Sequence, residues 1–137
     1  MSAPSLLVLN AFIGTAGYKS LYQALGFTVV TEWSERKVIS LIRKSPPAVI
    51  VADFYHQSDF RDRLSNLESV LAAVQGSPAT RILVFYENAH RAVLERVRAR
   101  LRIDAALALP VQEDALRATL LDWRDHPPET AVSVRQD

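Results

Sequence analysis

Asp53 closes the apolar run Val49-Ile50-Val51-Ala52, and a carboxylate at the end of a buried strand can act as a nucleophile, a metal ligand or a proton carrier. Asn10 follows Leu6-Leu7-Val8-Leu9, His56 lies just beyond Asp53, and Tyr86 and Glu87 follow Ile82-Leu83-Val84-Phe85. If these runs are parallel strands, all five side chains fall at the carboxyl end of one sheet, where α/β folds hold ligands. No spacing among them marks a nucleophile with its base, an oxyanion hole or a metal triad. The histidines at 56, 90 and 126 are too scattered to form a ligand set. Gly14-Thr15-Ala16-Gly17-Tyr18-Lys19-Ser20 sits where a phosphate-binding loop would sit, but the Walker pattern counted back from Lys19-Ser20 needs glycines where Ile13 and Tyr18 stand. The chain has no cysteine, which excludes thiolate catalysis, disulfides and cysteine-held metal clusters.

A second constellation is cationic. Arg91, Arg96, Arg98, Arg100 and Arg102 are accompanied in that stretch by Glu95 alone among acids. At 100° per residue a helix there sets Arg91, Glu95, Arg98 and Arg102 on one face, opposite Val93, Val97 and Leu101. Arginine suits interfaces because it pairs bidentately with carboxylates, and Glu113, Asp114 and Asp122 on the last predicted helix supply opposite charges. Over the whole chain of 137 residues, 16 Lys and Arg against 15 Asp and Glu leave a net charge of +1. That balance argues against nucleic acid or an anionic membrane as the partner. No apolar run approaches the length needed to span a bilayer, and the residues after Met1 lack the basic region of a signal peptide; a cytoplasmic location is expected.

The elements that must position these groups alternate along the chain. Strands are expected at Leu6–Leu9, Phe27–Val30, Ala48–Ala52, Ile82–Phe85 and Ala106–Leu109. Between them fall helical stripes. Tyr18, Leu21, Tyr22 and Leu25 form the first, ended by Gly26 as a C′ residue. Val38, Leu41 and Ile42 form the second, capped by Ser34 and stopped before Pro46-Pro47. The third begins near Ser58 or Asp59 and runs through Phe60, Leu64, Leu67, Leu71 and Val74. Asn88 caps a fourth that continues to about Arg102, and the fifth spans about Gln112 to Arg124. Five apolar strands joined by four helical crossovers, with a fifth helix after the last strand, require a parallel sheet covered on both faces, a three-layer α/β/α sandwich. Residues 1–124 read as one domain, and 125–137, with Pro127-Pro128 and no apolar period, as a tail or linker stump.

With this order of elements, with Val49–Asp53 and with Leu107-Ala108-Leu109-Pro110, the chain resembles a response-regulator receiver domain, a flavodoxin-like fold with strand order 2-1-3-4-5. The resemblance implies a phosphoacceptor at Asp53, a magnesium ion and groups that neutralise the phosphoryl oxygens. It also shows departures. The two acidic metal positions after the first strand are Asn10 and Ala11, the hydroxyl position after the fourth strand is Tyr86, and the lysine before the proline is Leu109. Leucine cannot pair with a phosphoryl group, and one carboxylate with one amide makes a poor magnesium site. The expectation is therefore a non-enzymatic pseudo-receiver with weak or absent Mg2+ binding and a degenerate pocket of Asn10, Ala11, Asp53, Tyr86 and Leu109. It would act through a protein partner or as a homodimer, using Arg91, Arg98, Arg102, Glu113 and Asp114 on the surface that receivers commonly use. A receiver phosphorylated at Asp53 and a small-ligand-sensing domain are the alternatives.

Overall fold

The structure, a computed structural model, describes residues 4–9, 17–55 and 67–128. Five strands, β1 (Ser5–Leu9), β2 (Thr28–Glu32), β3 (Val49–Phe54), β4 (Arg81–Tyr86) and β5 (Ala105–Ala108), form one sheet in the order β2-β1-β3-β4-β5, and every neighbouring pair is parallel. The helices are α1 (Lys19–Ala24), α2 (Glu35–Lys44), α3 (Glu68–Gln75), α4 (Arg91–Arg98) and α5 (Glu113–Asp125). The expected architecture and strand order are both present.

Strand alternation divides the core in two. Leu7, Leu9, Ile50, Ala52, Phe54, Ile82 and Val84 meet Val38 and Ile42 of α2, Val70, Leu71 and Val74 of α3, and Leu94 and Val97 of α4. On the other face Leu6, Val8, Val49, Val51, Leu83 and Phe85 meet Tyr22 and Leu25, from α1 and its C-cap, and Leu116 and Leu120 of α5. β3 is buried along its whole length because both faces are covered. β5 is a half-buried edge, and β2, the other edge, is mostly exposed.

Local signals act as the sequence implied. Gly26 adopts φ +99°, the left-handed conformation that ends α1. The Ser34 hydroxyl accepts from the Lys37 amide at 3.3 Å and caps α2. Other boundaries differ. β2 runs Thr28–Glu32 because Thr28 pairs with Ser5 and Glu32 with Leu9. β3 continues one residue past Asp53, since Phe54 still pairs with Tyr86. Asn88 does not cap α4: Asn88–His90 form a 3₁₀ turn and α4 starts at Arg91. α4 also stops at Arg98 rather than near Arg102. The side chain of Gln75 clasps the backbone of Arg102 beyond the helix end, accepting from its amide at 3.2 Å and donating to its carbonyl at 3.3 Å. The first half of the third expected helix, residues 58–66, lies outside the described residues, as does 129–137 of the expected tail.

The amino edge of the sheet is tied by a polar buckle. The Thr80 hydroxyl donates to the Pro47 carbonyl at 2.7 Å and lies 2.8 Å from the Ser77 hydroxyl. Asp104 accepts from the Ile82 amide at 2.8 Å and pairs with Arg102. Arg102 donates further to the carbonyls of Thr80, Val74 and Ser77 at 3.1, 3.0 and 3.4 Å. One guanidinium thus joins α3, β4 and the turn into β5.

Candidate functional site: the carboxyl edge around Asp53

Asp53 stands one residue from the end of β3, opposite Phe85 of β4. Alternation from Val49 and Val51 directs it toward the α1/α5 side of the sheet. It is 3% exposed. Its surroundings on that side are aromatic. The Tyr18 ring meets Phe85 edge-on, with centroids 6.1 Å apart and planes at 80°. Tyr22, one helical turn beyond Tyr18, is fully buried, and its hydroxyl has no hydrogen-bond partner among the described residues. Burial, and then the neighbouring Tyr18 and Asp53 charges, push the Tyr22 phenol well above its ordinary range, so it stays protonated. The same coupling places the phenol within electrostatic reach of the Asp53 carboxylate.

The structure brings Tyr86 and Leu109 together: the Leu109 amide donates to the Tyr86 carbonyl at 2.7 Å, just before a cis Leu109–Pro110 bond. Their side chains part company. Tyr86 packs with the α2/α3/α4 core, whereas Leu109 packs with the α1/α5 core that Asp53 faces. The residue beside Asp53 across the ladder is therefore Phe85 rather than Tyr86. Asn10, Ala11 and His56 lie outside the described residues. Sequence reasoning missed Tyr18, Tyr22 and Phe85 as walls of this site. The i, i+4 spacing of the two tyrosines on the first helical stripe was the available signal, but it does not say which rung of the sheet they cover.

Magnesium wants several hard oxygen ligands. Asp53 supplies one carboxylate, and Ala11 has no ligating side chain. Among the described residues no three His, Cys, Asp or Glu side chains converge as a metal site. Two other acids near the carboxyl edge are placed differently: Glu87 is exposed, and Glu32 accepts from the amides of Trp33 and Ser34 at 2.8 and 3.2 Å. Among the described residues, Asp53 is not joined by the several hard oxygens that a magnesium ion takes.

The charged residues expected at an interface have several fates. Arg91 is exposed at the start of α4. Arg98 donates to the Ile103 carbonyl at 3.1 Å. Arg102, which the helical period sets on the outward face, belongs to the amino-edge buckle because α4 ends before it. Glu113 and Asp114 sit on the first turn of α5 and pair with Arg117 at 3.2 and 3.6 Å. Between α4 and α5 the β5 edge remains open, with Leu107, Leu109 and Val111 partly buried along it.

The sheet order, the four crossover helices with a fifth after β5, and the buried aspartate at the carboxyl end of the central strand define the receiver-domain fold. Known structures agree. The chain is similar to a response regulator receiver domain protein from Clostridium thermocellum, with a TM-score of 0.69, 14% identity, and coverage of 89% of this chain and 94% of that one. It is similar to the receiver domain of AraT, a response regulator from Geobacillus stearothermophilus, with a TM-score of 0.69 and 15% identity over 98% of this chain and 99% of that one. The receiver domain of a sensor histidine kinase from Pseudomonas aeruginosa, with magnesium coordinated in its active site cleft, matches at TM-score 0.68 and 15% identity, covering 91% of this chain and all (100%) of that one. No protein-family model and no curated protein sequence matches the chain. Among the described residues no helix is long and apolar enough to cross a membrane.

Proposed function

We propose that the chain is a non-enzymatic pseudo-receiver, a signalling domain of the two-component type that works by protein–protein contact without conventional phosphorylation of Asp53. The observation that carries this reading is the setting of Asp53: the residue is 3% exposed, with Phe85 beside it in the ladder and the Tyr22 phenol within electrostatic reach, and the position before Pro110 holds Leu109 where a cation would be needed. Among the described residues, a phosphoryl group arriving there would meet rings and a leucine, which cannot neutralise its oxygens. Incubation with acetyl phosphate and magnesium, read by intact mass, is expected to give no phosphoryl adduct, and magnesium is expected to bind weakly or not at all. Stoichiometric acyl phosphate on Asp53 would overturn the reading.

The working surface in this proposal is α4, β5 and α5, serving a homodimer or a protein partner at a cytoplasmic location. Its support is the open, half-apolar β5 edge flanked by exposed Arg91 and by Glu113 and Asp114. Rim charge pairs contribute only about 0.2–1 kcal/mol each, so most affinity must come from Leu107, Leu109 and Val111. In a two-fold dimer every pair occurs twice. Arg91→Glu is then expected to weaken association, and adding Glu113→Arg to restore it, in sedimentation experiments. A chain that stays monomeric at high concentration restricts the proposal to a hetero-partner.

A further inference from the structure

Several cations of this fold make no internal bond among the described residues, and three of them cluster on α2. Arg98, Arg100, Arg102, Arg117 and Arg124 each bond a carboxylate or a carbonyl, and Arg81 lies over the Trp123 ring at 5.6 Å. Arg36, Arg43 and Lys44 have no hydrogen bond or ion pair among the described residues. All three line one open groove of roughly 530 Å3 between α2 and the start of α3. Ile39 and two hydroxyls, Ser40 and Ser69, complete it, and Glu35 is its single acid. Arg43 and Lys44 occupy the last turn of α2, where the helix dipole favours cations, but Arg36 stands in the first turn, where the dipole opposes one. Helix stability therefore does not account for Arg36.

Arg36, Ile39, Ser40 and Arg43 follow the i, i+3, i+4, i+7 spacing of a single helical stripe. With a rise of about 1.5 Å per residue, the two arginines stand about 10 Å apart along the axis, with Ile39 between them. We propose that this groove docks an acidic amphipathic helix of a partner protein, with carboxylates seven residues apart on Arg36 and Arg43 and an apolar side chain on Ile39. The mixed lining favours a protein over a nucleic acid, because a phosphate backbone gains nothing from Ile39. The groove lies at the β2 end of the sheet, away from the β5 edge, and does not depend on the function proposed above.

The test uses the full chain and a fluorescein-labelled helical peptide, about 15 residues long, carrying glutamates seven positions apart with leucine between them. Anisotropy at low ionic strength should show saturable binding, weakened about tenfold by Arg36→Glu with Arg43→Glu. A peptide with lysines in place of both glutamates should prefer that double variant, which keeps the result interpretable even if the variant is somewhat less stable. Replacing the peptide's leucine by serine should weaken binding, whereas Arg91→Glu should leave it unchanged. Absence of saturable binding, equal binding by parent and double variant, or tighter binding of a duplex DNA oligonucleotide under the same conditions would overturn the proposal.

Discussion

Two stretches of this chain are rich in cations, and the fold uses them in opposite ways. Between residues 91 and 102 the arginines are dense in sequence, yet Arg98, Arg100 and Arg102 turn back onto carbonyls and acids of the same molecule. On α2 the cations are about as dense, yet Arg36, Arg43 and Lys44 remain open along a groove. The count of like charges in a segment therefore says little about binding. What matters is whether nearby backbone carbonyls at helix and strand ends have already claimed them. A guanidinium with five donors satisfies several such carbonyls at once, which makes arginine as much a structural clamp as an interaction residue.

The sharpest way to break this contrast is Arg102→Ala. That change removes donors from the carbonyls of Thr80, Val74 and Ser77 and the charge partner of Asp104. A loss of about 2–3 kcal/mol is expected in urea unfolding. A change below about 0.5 kcal/mol would mean that the clamp is decoration. Arg98→Ala removes one charge-assisted bond to the Ile103 carbonyl, and about 1 kcal/mol is expected by the same measurement. Arg100→Ala should cost at most about 0.5 kcal/mol, because its own side chain is 63% exposed. Joint replacement of Arg36, Arg43 and Lys44 by glutamine should leave the unfolding midpoint nearly unchanged, because exposed groups with no internal bonds carry little stability. A large loss there would show that the α2 cations hold the fold as Arg102 does.

The same residues show what the sequence could and could not convey. Gly26 and Ser34 were legible because a helix end is a local event, decided within four residues. The strand order followed from five apolar runs separated by helical stripes, since few arrangements bury such runs on both faces. Arg102 was misplaced because helical periodicity presumes that the helix continues. α4 ends at Arg98, and the Arg102 backbone pairs instead with the side chain of Gln75, 27 residues away. Asp53 was legible as a strand-end carboxylate, but its aromatic surroundings were not. Phe85 reaches it through strand register, and Tyr18 and Tyr22 through the docking of α1, neither of which has a one-dimensional signature.

The finest distinction concerns what holds α2 in place to present its cations. The Glu32 carboxylate accepts from the amides of Trp33 and Ser34, and Ser34 in turn caps the helix through Lys37. The Ser34 amide first, and then that of Trp33, hold the Glu32 carboxyl below its ordinary value of 4.5; desolvation opposes them with a smaller effect, and nearby Lys37 adds the least. The folded state thus binds this proton less tightly than the unfolded chain does. The contribution is fully present above the unfolded carboxyl's value and is lost as pH falls through the lower, folded one. Glu32→Gln keeps an acceptor oxygen but removes the charge. The stability difference between parent and variant should therefore stay constant from neutral pH to about pH 5 and then shrink to nothing as the medium is acidified further. Urea titrations at a series of pH values measure this directly. A difference that is the same at every pH would mean that the charge on Glu32 contributes nothing, leaving Ser34 alone to set where α2 begins and where Arg36 stands.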